Sequence, residues 1–172
     1  WYTGEHLSDA TILFAYDENG ELQTIEQTTD VDGYFMTQVP ADRDYDLFIY
    51  ADGYWAEHDA FYLSPGDHHV LEIGIAPLDM AARVYGSVTD AYSGDMIHGA
   101  EAVLHCGDSE DWDHTGALGT YRVFSYYPDD CEDGNLSVWA DGYRTQHFSA
   151  GDLGLEAGQS VTVNVTLEEG ND

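Results

Sequence analysis

The side chains with the most chemical potential in this sequence are its clustered carboxylates. Asp17, Asn19 and Glu21 alternate in DENGE, Asp30 and Asp32 flank a turn in DVDG, and Asp108, Glu110, Asp111 and Asp113 crowd DSEDWDH. Hard oxygen donors on loops are what Ca2+ takes, so Asp17, Asn19, Glu21, Asp30 and Asp32 are the candidate metal ligands and Ca2+ is the candidate cofactor. None of the runs has the spacing of a twelve-residue calcium loop, and the competing reading is solvated turn carboxylates. His68 and His69 are adjacent, so on a strand they point to opposite faces and do not share a zinc ion. Eight His are present, yet no GxSxG elbow, HExxH helix or Cys–His pairing stands in a recognisable context. The expectation is a protein without catalytic activity.

Two further chemistries involve covalent bonds. Cys106 and Cys131 are the chain's two cysteines, and they do not form a CxxC motif. Cys106 ends one apolar run and Cys131 precedes another, so neighbouring strand ends can bring them within bridging reach. One disulfide implies an oxidising, extracellular or cell-surface setting. Two glycosylation sequons occur, at Asn135 and Asn164. In the run VTVNVTL, Asn164 takes the parity opposite to Val163 and Val165, which turns it outward and makes a glycan there sterically feasible.

Charge narrows the partners. Thirty-four Asp and Glu stand against four basic residues, for a formal net charge of -30, and the four are Arg43, Arg83, Arg122 and Arg144. Such a field repels nucleic acid and anionic membrane surfaces. It also repels itself, so the compact state should depend on counterions, supplied by salt or by divalent cations. No apolar run approaches the roughly 20 residues of a membrane span. The first residue is Trp rather than Met, which fits a trimmed or mature form.

The elements that must position these groups repeat. TGEHLSDATILFAY aligns with SGDMIHGAEAVLHC, DGYFMTQVP with LGTYRVFSYYP, IYADGYW with VWADGYR, and SPGDHHVLEIGIAPL with EAGQSVTVNVTLEE, in the same order. Each unit consists of short runs rich in Val, Ile, Tyr, Phe and Thr between turns such as DENG, VDG, PADRD and ADG, without a helical period. Val84, Gly86 and Val88 share one parity, as do Ala100, Ala102 and Leu104, and Val161, Val163, Val165 and Leu167. One face of each strand is therefore core. Roughly seven short strands per copy predict two tandem antiparallel β-sandwiches of immunoglobulin-like type, over residues 1–79 and 80–172.

The run VYGSVTDAYSGDMIHGAEAVL, the Gly-Thr-Tyr strand at Gly119 to Tyr121, WADGYRT and the final VTVNVTL resemble the carboxypeptidase regulatory-like domain, whose sandwich is transthyretin-like. The first copy shares TTDVDGYF and ADGY with that pattern. The resemblance covers nearly all of both copies and implies an accessory module rather than a catalytic one. Related surface-adhesin domains carry Lys–Asn isopeptide cross-links, which a chain without Lys does not form. Gly53-Tyr54 and Gly142-Tyr143 read as structural turns, whereas Trp55, Tyr62, Trp112, Tyr126 and Tyr127 are candidate rings for a carbohydrate platform.

The copies are unequal at their start. Aligning Thr3-Gly4 with Ser93-Gly94 leaves the first copy without a counterpart of Arg83 to Asp90, the first strand of the second. Losing two inward valines costs roughly 3 to 6 kcal/mol and leaves an open edge that invites pairing. The expected function is a non-enzymatic extracellular structural module of a cell-surface or filament-forming protein, its partners being further copies, joined by strand donation, or neighbouring domains of a longer chain. The alternative is a glycan-binding accessory module of a secreted hydrolase.

Overall fold

The computed structural model describes residues 6–170. Trp1, Tyr2, Thr3 and Gly4, on which the alignment at the chain start turns, lie outside the described residues. The chain parts between Pro77 and Leu78 into two compact units, and both are built from strands.

In the first unit, β1 (Thr11–Glu18) and β2 (Glu21–Thr28) form a hairpin closed by Asn19-Gly20. Both loop residues have positive φ, 60° and 85°, as a two-residue type I′ turn requires. β3 (Arg43–Tyr50) pairs with β1, and β4 (Glu57–Leu63) with β3, giving an antiparallel sheet of order β2-β1-β3-β4. Ile12, Phe14, Tyr45, Leu47 and Ile49 bury one face of it, the alternation that a half-covered strand imposes. Against that face lie Phe35 and Val39, from the stretch 34–39, and Leu71, Ile73 and Ile75, from the stretch 70–75. Neither stretch is a strand, and among the described residues neither is paired with one.

The second unit is a complete two-layer sandwich. One layer has the order β10-β9-β6-β7, from β6 (Glu101–Cys106), β7 (Ser109–His114), β9 (Asn135–Trp139) and β10 (Gln146–Ser149). The other is centred on β5 (Ala82–Asp90), flanked by β8 (Thr120–Ser125) on one side and by β11 (Ser160–Thr162) and β12 (Val165–Leu167) on the other. Val84, Val88, Leu104, Val123, Leu136 and Leu167 fill the space between them. The last strands run parallel to β5 while every other pairing is antiparallel, because they reach β5 from the far end of the domain. A 3-10 turn at Pro128–Cys131 and one α-helical turn, α1 (Ala150–Leu153), capped by Ser149 and ended by Gly154 in the left-handed region, interrupt the strands of this unit.

The repeat is visible in its hydrogen bonds. The Thr29 hydroxyl donates to the Leu7 carbonyl and accepts from the Ala10 N–H, and the Thr115 hydroxyl does the same with Ile97 and Ala100. Trp55 N–H donates to the Ala76 carbonyl as Arg144 N–H does to that of Glu168. Tyr54 bridges to Pro77 as Tyr143 does to Glu169. A shared position thus equates 34–39 with β8, and Leu71, Ile73 and Ile75 with Val163, Val165 and Leu167.

Candidate functional site

Two of the carboxylates proposed for calcium, Asp17 and Asp30, are engaged in turns. Asp17 Oδ1 accepts from the Gly20 N–H at 3.0 Å, and Asp30 Oδ1 accepts from the N–H groups of Asp32 and Tyr34 at 2.9 and 3.0 Å. These are the self-capping bonds Asp makes in tight turns. Glu21 opens β2 across from Glu18. Among the described residues no three His, Cys, Asp or Glu side chains are grouped to hold a metal ion.

The third acidic run corrects the sequence reading more sharply. All of DSEDWDH but Asp108 is β7 rather than a loop, so its side chains alternate. Asp111 and Asp113 turn towards β8, where their Oδ2 atoms accept from the N–H groups of Phe124 and Arg122, both at 2.7 Å. The two carboxylates thus satisfy the outer edge of β8, the edge away from β5, and close it to further strand addition. Burial pushes the Asp111 carboxyl up to about 6, against the pull of the Phe124 N–H. Sequence patterning gave no sign of this role, since nothing local marks β7 as a neighbour of β8.

Cys106 and Cys131 form a disulfide with Cα atoms 4.2 Å apart, at the buried end of β6. Tyr16, the residue aligned with Cys106, is instead covered by the Arg43 guanidinium, 4.8 Å above its ring. Gly53 and Gly142 share a φ of 83°, and their turns bond Tyr54 to Ala51 and Tyr143 to Ala140. Tyr143 further donates to Asp90 Oδ2 at 2.8 Å. Together with the Ser93 N–H, the larger influence, this holds the Asp90 carboxyl below the usual range.

Two surfaces have shapes a partner could use. On the outward face of the four-stranded layer, β7 presents Glu110 and Trp112, β6 presents Val103 and His105, and Ser137, Trp139 and His147 stand on the next strands. Trp112 is 62% exposed and stacked on His114. His105 Nδ1 lies 3.1 Å from Glu110 Oε2, and His147 Nδ1 lies 2.9 Å from Ser137 Oγ. Of the other candidate rings, Trp55 is buried whereas Tyr62 and Tyr127 are exposed.

The second surface is a groove of about 450 Å³ in the first unit, lined by Leu7, Ile12, Phe35, Ile49, Ile73 and Ile75 among others. It lies between the stretches 34–39 and 70–75, whose counterparts in the second unit flank β5. There the equivalent residues Tyr121, Val123, Val165 and Leu167 are buried. Here Phe35, Thr37, Ile73 and Ile75 remain only half-buried.

Strand order and shared turns define a tandem all-β sandwich protein, the second domain complete and the first open on one side. No protein-family model matches the chain, and no curated protein is significantly similar to it. Among solved structures, it is similar to catechol 1,2 dioxygenase from Acinetobacter radioresistens, with 15% identity over 54% of this chain and a TM-score of 0.38. The chain spans about half of that enzyme's length, 53%. It is also similar to the shaft pilin SpaA of Lactobacillus rhamnosus GG, at 10% identity and TM-score 0.36, covering 99% of this chain and 88% of the pilin. The Bacillus anthracis TIE protein matches at 16% identity and TM-score 0.34, covering 97% of this chain and 32% of that one. All three likenesses are loose, and the assignment of fold rests on the strand pairing itself.

Proposed function

We propose that this chain is a non-enzymatic structural module of an extracellular, cell-surface or filament-forming protein, made of two domains of the carboxypeptidase regulatory-like type. The observation that carries the reading is the open first domain: Phe35, Ile73 and Ile75 are only half-buried beside a groove where their counterparts in the second domain are buried against β5. The disulfide supports an oxidising compartment. Asn135 and Asn164 are exposed, as N-glycosylation requires. Asn164 engages Ser87 through Oδ1, whereas a glycan attaches to the amide nitrogen. Electron microscopy and light scattering on native material test the assignment. Polymers or a larger parent assembly are expected. A stable monomer at high concentration, with both domains fully protected from hydrogen exchange, refutes it.

A second reading, a glycan-binding accessory module of a secreted hydrolase, is favoured by the Trp112, Val103 and Trp139 face with its flanking His and Glu side chains. Exposed rings on a flat sheet stack on sugars, and polar neighbours supply hydrogen bonds. Binding on a glycan array that vanishes in Trp112→Ala, with the fold retained, would establish it. A blank array for the wild-type protein removes it.

A further inference from the structure

Resting on the glycan-binding reading above, we propose that the outward face of the four-stranded layer in the second domain binds an oligosaccharide of amino sugars. Trp112 stacks on one sugar ring, and the free amine of a neighbouring sugar sits between Trp139 and Glu101.

Two hollows meet on this face. One, of about 560 Å³, is floored by Val103, which stands in register with Trp112 on one side and Ser137 on the other. The second, of about 630 Å³, holds Asp95, Asp141 and Tyr143. Glu101 and Trp139 line both, so the hollows adjoin along that pair. Val103 is only 8% exposed, whereas Trp112 beside it is 62% exposed, and stacking on His114 orders the indole. Trp139 lies directly across from Glu101 in the β6–β9 ladder, which sets their Cβ atoms about 5 Å apart. Two strands and a two-residue step separate Trp112 from Trp139, about 12 Å on a regular sheet, a distance that a short oligosaccharide spans.

The charge of the face selects the sugar. Asp95, Glu101 and Asp141 are exposed, and among the described residues their carboxylates make no hydrogen bond or ion pair. Asp90 lines the same hollow but is committed to the Tyr143 hydroxyl and to the N–H groups of Tyr92 and Ser93. At the far end Glu110 is answered by His105 at 3.1 Å. Among the described residues no Arg lines either hollow, and the chain has no Lys. An indole beside unpaired carboxylates suits an ammonium group, through cation–π attraction on one side and charge-assisted hydrogen bonds on the other. Uronic acids and sulfated sugars are repelled by the same carboxylates. A basic peptide has the charge but lacks a rigid ring face to cover Trp112 and Val103.

The fold does not require this face. In the first domain the positions of Glu101 and Trp139 are held by Thr11 and Tyr50, and those of Val103 and Trp112 by Leu13 and Glu26. The matching hydroxyl bonds of Thr29 and Thr115 fix that correspondence. The copies share their turns and hydrogen bonds, and only the second has the two indoles.

Calorimetric titration of the intact protein of residues 1–172 tests the site with tetramers of glucosamine, N-acetylglucosamine and glucose, in about 0.15 M salt. The glucosamine tetramer should bind once per chain, at least about tenfold more tightly than either neutral tetramer. Trp112→Ala should weaken all of them about tenfold. Glu101→Gln should abolish the preference for the amine and leave the neutral tetramers unchanged. Both positions are exposed. Glu26→Gln, which removes one exposed charge from the first domain, should change nothing. Equal or tighter binding of a neutral tetramer overturns the amine site and leaves the glycan reading standing. Glucosamine binding that Glu101→Gln and Glu26→Gln weaken alike, or that tetralysine matches without need of Trp112, overturns it as attraction to the net charge alone. If neither these tetramers nor any glycan on an array binds, the glycan reading falls as well.

Discussion

Asp111 makes the stability of the second domain depend on pH with a predictable sign. Its carboxyl is raised from 3.8 to about 6 by burial, with the Asp113 carboxylate adding to the shift. A group whose folded value is raised stabilises the fold below its unfolded value, because the folded state then holds the proton, and loses that contribution as pH rises through the folded value. The window is therefore about pH 4 to 6.5. A displacement of about two pH units at roughly 1.4 kcal/mol each gives about 3 kcal/mol lost between pH 4 and pH 7.5. Self-repulsion among 34 acidic residues has the same sign, so the wild-type curve alone does not isolate Asp111. Asp111→Asn does, since an amide oxygen can still accept from the Phe124 N–H without titrating. Urea unfolding should be followed through the Phe124 amide's hydrogen exchange, for both proteins in about 0.5 M salt, where screening suppresses the general repulsion. Asp111→Asn should gain up to about 3 kcal/mol on the wild type between pH 4 and pH 7.5. A difference that stays constant across that range, or an Asp111 carboxyl carbon that titrates near 4 by NMR, would refute the reasoning.

Replacing both Cys106 and Cys131 by Ser opens a loop with a sequence separation of 25; denaturant unfolding should show a loss of about 3 kcal/mol in the second domain and none in the first. Gly86→Ala drives a Cβ into the Val163 carbonyl and should cost more than about 3 kcal/mol, read as loss of exchange protection in β5, β8 and β12 together. Tyr121→Phe keeps the ring but strips the donor from that carbonyl, costing about 1 to 2 kcal/mol by thermal melting. Thr115→Val and Thr29→Val each leave an N–H and a carbonyl without their hydroxyl partner. The loss should be about 2 kcal/mol for Thr115, which is wholly buried, and smaller for Thr29, which is only partly covered.

Much of the architecture was legible because side-chain alternation is a local property. The parity of Val84 and Val88, of Ala102 and Leu104, and of Val165 and Leu167 is set by the pleat wherever the strand lies, and all of these residues are buried. Repetition added more, because two copies with matching turns must make matching hairpins. The cysteine pairing followed from the ends of two apolar runs. The acidic runs were misleading for the opposite reason. Asp30 and Asp111 look alike in a sequence, yet one caps its own turn and the other caps a strand ten or more residues away.

What the sequence determined by itself was therefore the alternating faces, the positions of the turns and the inequality of the two copies, since each depends on residue types a few positions apart. Only the tertiary structure decided that β11 and β12 lie parallel to β5, that β7 turns two carboxylates onto the edge of β8, and that the walls 34–39 and 70–75 stand unpaired beside an apolar groove. These are properties of which segments become neighbours. Closing the loops between them costs entropy that only the assembled core can offset, so no single stretch of chain contains the information.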